Sequence, residues 1–127
     1  MRAMRSESGA TAVEFALILP LLILLVFGIV SFGFAFNRMQ GLHAAAREGA
    51  RLGSVPGVTV GQVQSRVTDA LDGVSVTLNG APAVDACDGS IGDTVVVTVS
   101  ADTDLEIPLW GSQTITMTGR GEFRCEV

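Results

Sequence analysis

The sequence predicts an α+β chain: a long N-terminal transmembrane helix, then a small domain of one short helix and an antiparallel sheet of about four strands. Three observations predict it. Residues 15–36, FALILPLLILLVFGIVSFGFAF, carry no formal charge. A short segment after Thr59 repeats apolar residues at helical spacing, and most of the remainder alternates apolar with polar residues. The implied divisions are a helix over 10–54, a linker at 55–58 and a domain over 59–127.

The uncharged run corresponds to about 33 Å of helix, enough to cross a hydrocarbon core. Pro20 lies inside it and removes one helical hydrogen bond, which membrane helices tolerate better than soluble ones. A cleaved secretory signal is the competing reading, with Gly33 and Ala35 at cleavage spacing. Its apolar region would be only about 7 to 15 residues, so the spanning reading is preferred.

Composition bounds the rest. The chain has 127 residues, 48% of them apolar, and a formal net charge of −5. Roughly 70 to 75 residues remain outside the apolar helix, a length at which a core needs a staple or a partner. All the basic residues are arginine, and from Leu52 onward only Arg66, Arg120 and Arg124 stand against a clear majority of carboxylates. No basic face is available for phosphate contacts, which argues against nucleic acid as a partner.

Charge does not orient the span. Arg2, Arg5 and the amino terminus precede it, while Arg38, Arg47 and Arg51 follow it. The cysteines are more informative. Cys87 and Cys125 both lie downstream, without the neighbouring Cys or His residues that a zinc site needs. They are a disulfide or two free thiols; a disulfide implies an oxidising compartment, with the N-terminus cytoplasmic and the domain outside.

At the mouth of the span lies Gly9-Ala10-Thr11-Ala12-Val13-Glu14-Phe15. A carboxylate here gains a little from the helix dipole and can reach headgroups or water. The same geometry has a second reading. A cut after Gly9 would give Ala10 a new ammonium and make Glu14 the fifth residue, able to pair with the terminus of a packed neighbour.

With those residues in place, the first fifty or so resemble the TadE-like minor pseudopilins of tight-adherence (Flp) pilus systems, within the type IV pilin class. Gly9 to Phe15 is similar to a prepilin-peptidase site, and ALILPLLILLVFGIVSFG to the family's membrane helix. AAAREGAR at 44–51 is similar to its juxtamembrane stretch. The resemblance implies a pilin-like fold, a leader over 1–9 and cleavage between Gly9 and Ala10. It also implies that Glu14 is the helix-assembly carboxylate and that the protein is a structural component of pilus assembly. Implied partners are the lipid membrane, other pilins or pseudopilins, the assembly platform and the prepilin peptidase. The implied location is the cytoplasmic membrane, single-pass, N-terminus cytoplasmic and C-terminal domain extracytoplasmic, with a surface pilus as a further destination. Two features depart from the usual pattern: Glu7 and Ser8 dilute the basic leader that commonly precedes the glycine, and Ser31 stands where many members carry an acid.

Beyond the bilayer, Gly41, Ala45, Gly49 and Gly53 recur every four residues and leave one helix face nearly bare, a pattern that suits close packing. The competing reading is a glycine-frayed helix end. Arg47, Glu48 and Arg51 flank this face as polar contacts, and His43 is read as a bystander.

Ser54-Val55-Pro56-Gly57 ends the long helix. Thr59 with Gln62 fits a capping box and Val58 with Val63 a hydrophobic staple; Val60, Val63, Val67, Ala70 and Leu71 then share one face, and Gly73 stops the helix. Strand candidates follow at Val74–Leu78 before an Asn79-Gly80 turn, at Val95–Val99, and at Leu105, Ile107 and Leu109. In the last strand Ile115, Met117, Gly119, Gly121, Phe123 and Cys125 occupy the inner face.

No catalytic constellation or phosphate loop is present, so no enzyme and no cofactor are expected. Asp85, Asp88 and Asp93 are the best metal candidate, but their spacing does not fit an EF-hand and an acidic solvated turn is commoner; no metal is expected. Trp110 is a contact residue or a core cap. The expected function is a minor pilin-like subunit; the alternative is a permanently anchored surface protein that binds a partner through its β-domain.

Overall fold

The computed structural model describes residues 7–126. Its first element is a single unbroken helix, α1, over Glu7–Gly53, 47 residues long and therefore about 70 Å end to end. Pro20 is carried within it. From Gly9 to Phe34 nearly every side chain is exposed, and burial begins at Ala35 and becomes regular from Leu42. The helix ends where the sequence expects. The Ser54 N–H donates to the Ala50 carbonyl, its hydroxyl to the Arg51 carbonyl, and Pro56 follows.

The second helix, α2, covers Val60–Ala70. Its capping box is formed as read: the Gln62 N–H donates to Thr59 Oγ1 at 3.3 Å and the Thr59 N–H to Gln62 Oε1 at 2.9 Å. Two otherwise orphaned donors are thereby satisfied. Val63 and Val67 are the buried residues of this helix.

Four strands follow: β1 Thr77–Leu78, β2 Ala83–Asp85, β3 Thr94–Ile107 and β4 Gly111–Arg124. β3 is the centre of the sheet. β4 pairs along one edge in an unbroken antiparallel register from Thr94↔Arg124 to Ile107↔Gly111. β1 and β2 lie end to end on the other edge, with Thr77 opposite Asp102 and Ala83 opposite Thr98.

Three local expectations are corrected here. Leu105 and Ile107 are not a separate strand but the continuation of β3, because the β4 ladder runs on without a break. Asn79-Gly80 does not reverse the chain; both β1 and β2 run antiparallel to β3, so the turn is an interruption within one edge, held by the Asn79 N–H on the Ser100 carbonyl. Leu109 belongs to no strand: it sits in the β3–β4 turn at φ 76.

The upper part of α1 forms the spine of the head. Leu42, Ala45, Ala46 and Ala50 pack with Val63, Val67 and Leu71 of α2 and with Val95, Val97, Val99 and Ala101 of β3. Met117 closes this core from β4. Beside it, β4 crosses the helix so closely that a Cβ on Gly119 would lie 2.5 Å from the Leu42 carbonyl carbon, and one on Gly121 2.3 Å from that of Ala46. Only glycine allows two backbones to meet at that distance. Phe123, expected on the inner face, is 44% exposed.

Candidate membrane anchor and assembly site

The residues singled out at the start of α1 sit in its first turns. Gly9, Ala10 and Glu14 are exposed, and a Cβ on Gly9 would meet nothing within 4 Å. The Gly9–Ala10 peptide lies in the first described turn of α1. The helix beyond it is long and apolar enough to cross a membrane, and none of its most apolar window is buried within the protein. Arg2 and Arg5 lie outside the described residues.

The small-residue face is turned inward. Gly41 meets the side chain of Val74, Gly49 those of Val67 and Val63, and Gly53 those of Val95 and Val63. Ala45 is 1% exposed. The close approach expected of this face is therefore made to the chain's own α2, the segment that follows it and β3, with Gly49 seating Val67. In this arrangement the face is covered, so a neighbouring helix would have to find other residues.

Polar groups around the spine are paired. Glu48 accepts from Arg51 at 2.9 Å and from Arg66 on α2 at 2.6 Å. Those two guanidinium groups, Arg51 first, hold its carboxyl down at about 2. His43 is no bystander: the Arg120 N–H donates to its Nδ1 at 3.2 Å, tying α1 to β4. Lower down, Arg38 donates to the Thr103 hydroxyl and, at 3.2 Å, to the Asp104 carbonyl. Asp102 accepts from the Thr116 hydroxyl at 2.6 Å and from the Asn79 amide at 2.8 Å, and these two bonds hold its carboxyl below the usual range.

Arg38, Asp102, Asp104 and Thr114 also line a cleft of about 570 Å³ at the waist between helix and head. Its polar groups are committed to one another, which suits a structural joint rather than a ligand pocket.

The staple lies at the far end of the head. Cys87 and Cys125 form a disulfide with a Cα–Cα distance of 6.0 Å. The Cys125 N–H donates to the Asp93 carbonyl, and the Glu126 N–H to Ser54 at the end of α1, so the C-terminus is tied to both the acidic loop and the helix. In that loop the Asp88 N–H donates to Asp93 Oδ2 at 2.7 Å and the Ser90 N–H to Asp88 Oδ1 at 2.8 Å. Asp88 titrates below its ordinary range because of Ser90. Asp93 also lies close to the two sulfurs, but these are bonded to each other and do not act as free thiolates.

Sequence reasoning did not single out Gly119 and Gly121 as the seat of the helix. A signal was present: two glycines two apart on the inner face of a strand mark a place where another backbone comes close. Nor did it see that Trp110, 79% exposed, sits at the tip of a long hairpin.

These features define a class of protein: one helix, long and apolar enough to span a bilayer, serves also as the spine of a small disulfide-stapled α+β head. Residues 9–51 match the model of the TadE-like protein family. The matched segment runs from the glycine before the apolar helix to Arg51 on the spine, leaving the sheet outside it. The family associates the chain with the tight-adherence pilus. No curated protein and no solved structure matches.

Proposed function

We propose that this chain is a minor pilin-like subunit of a tight-adherence pilus system, held in the cytoplasmic membrane with its N-terminus inside and its head outside. A prepilin peptidase removes residues 1–9, and the mature helix enters or primes a pilus assembly alongside other pilins and the assembly platform. The observation that carries this reading is the placement of Gly9, Ala10 and Glu14 at the start of the helix that matches the TadE-like family. In hydrocarbon a lone carboxylate is unfavourable, and a neighbour's new ammonium at Ala10 is the nearest chemistry that relieves it. Such a pair would also set the stagger between adjacent helices. The disulfide suits an oxidising exterior.

The mass of the mature chain tests the first step. A terminus at Ala10 supports processing, whereas an intact Met1 on a chain without assembly partners would favour a permanently anchored surface protein. Glu14→Gln tests the second: partner co-purification should fall several-fold while membrane insertion stays intact. Unchanged association would remove Glu14 from the account.

A further inference from the structure

The β3–β4 hairpin does not stop at the head. Beyond Asp102, the last residue of β3 with a partner on its outer edge, the two strands continue with no third strand beside them among the described residues. They run down α1 toward its N-terminus. Arg38 is bonded to Thr103 and Asp104, Glu106 shares a groove with Phe27 and Ser31, and Pro108 and Leu109 share one with Pro20 and Leu24. The spacings agree: Arg38 to Phe27 is about 16 Å of helix, and Thr103 to Pro108 about 16 Å of strand.

This placement conflicts with a hydrocarbon layer over 15–36. With the outer boundary at Phe36, the tip would lie roughly 14 Å deep, near the middle of a ~30 Å core. The Glu106 carboxylate and two open strand edges would go with it. Lipid offers no partner to unpaired backbone groups, and open sheet edges do not occur exposed to hydrocarbon.

A boundary at the tip removes the conflict. Ala10 to Phe27 is about eighteen residues, ~27 Å of helix, which still spans. The tip itself then has the right chemistry for the boundary. Leu109 is 86% exposed and Trp110 79%. Leu109 also holds φ 76, a conformation in which glycine or asparagine is favoured and a bulky apolar residue is an outlier. An exposed leucine in a strained turn beside an exposed tryptophan has no role in the head's core. Tryptophan is the residue enriched where headgroups meet acyl chains.

We infer that Pro108, Leu109 and Trp110 seat in the headgroup–acyl boundary of the bilayer on the head's side, beside Phe27, so that the hydrocarbon-spanning part of α1 is residues 10–27. Lipid is the occupant because the tip is continuous with the bare apolar surface of the span, whose residues Pro20, Leu24 and Phe27 line its flank. The hairpin fixes the height of the head above the membrane and places Glu14 inside the hydrocarbon. This inference rests on the anchor in the proposed function, not on processing or pilus assembly.

Trp110 is the chain's one tryptophan, so its fluorescence reports the tip alone. The full chain, reconstituted in phosphatidylcholine–phosphatidylglycerol vesicles and floated on a gradient, is titrated with acrylamide and with lipids spin-labelled near the headgroup or deep in the acyl chain. Expected are acrylamide quenching several-fold below that of free tryptophan and shallow-label quenching several-fold above deep-label quenching. Free acrylamide access without lipid quenching overturns the proposal, as does stronger quenching by the deep label. Shielding from acrylamide without lipid quenching assigns the tip to a protein contact and overturns it too. A chain that does not float overturns the anchor and the tip together, whereas a floating chain with a solvent-exposed Trp110 overturns the tip only. Leu109→Asn and Leu109→Gly, both suited to the turn, should weaken shallow-label quenching several-fold with the head's thermal melt unchanged; undiminished quenching in both removes Leu109 from the wedge.

Discussion

Along α1 the same helix is built in two ways. Below Phe36 its side chains are large and bare, with Leu17 75% and Phe32 70% exposed, whereas above Gly41 they are small and covered, with Ala45, Ala46 and Ala50 at 1% or less. In water each large side chain of the lower half would forfeit roughly 1.5–3 kcal/mol by staying exposed, so that half requires lipid or the helices of neighbours. The upper half gains its stability from closeness instead. Size there is a liability, because β4 approaches to backbone distance and α2 seats the Val67 side chain against Gly49. The contrast teaches that apolar content alone does not say what a helix segment packs against; side-chain volume does.

Several measurements would break or sharpen this contrast, and the largest effect should come from the staple. Cys125→Ser opens a loop with a sequence separation of 38, which by loop entropy costs about 4 kcal/mol. Urea unfolding of the head should show that loss, and a reductant should reproduce it in the parent chain but not in the variant. Next comes Gly121→Ala, whose Cβ would fall 2.3 Å from a helix backbone that cannot move aside. A loss of about 3 kcal/mol is expected, against no loss for Gly33→Ala, which has nothing within 4 Å. Equal effects at the two glycines would erase the distinction between the halves.

Gly49→Ala should be milder. Its Cβ would press on Val67 Cγ2 at 2.3 Å, but a valine can turn, and alanine favours helix over glycine by close to 1 kcal/mol. A net loss of about 1 kcal/mol is expected by thermal melting.

The smallest effect concerns Glu48. Its carboxyl is depressed from 4.5 to about 2 by Arg51 and Arg66, so its contribution is fully present above pH 4.5 and is lost as the pH falls through about 2. Arg66→Gln should therefore flatten the stability profile of the head within that window and leave it unchanged near neutrality in shape. An identical acid profile in the variant would show that the pair contributes nothing.

Much of this organisation was legible in the residues. The run from Phe15 announces a helix of spanning length, Thr59 and Gln62 announce the start of α2, and the alternation from Thr114 announces β4. Each signal is local, set by propensity, capping or period within a few residues. The Gly41–Gly53 stripe was legible as a packing face, but not its partner, since a bare face is complementary to any close neighbour. His43 was misread because its partner, the Arg120 peptide, is 77 positions away. Leu105 and Ile107 were legible as strand residues but not as part of β3, because the join is made by the β4 ladder, with Asp104 and Glu106 on its outer side.

By itself, then, the sequence determined that one helix would be apolar enough for a membrane, that its first turns would offer Gly9, Ala10 and Glu14, and that a small β-rich head would follow. Those outcomes depend on patterns within single segments. Only the tertiary structure decided that the small-residue face closes on the chain's own α2, that Gly119 and Gly121 seat the helix, and that the hairpin descends beside Phe27. Such outcomes depend on which surfaces fit when segments far apart in sequence are brought together, and that fit is a property of shape and distance that no single stretch of residues contains.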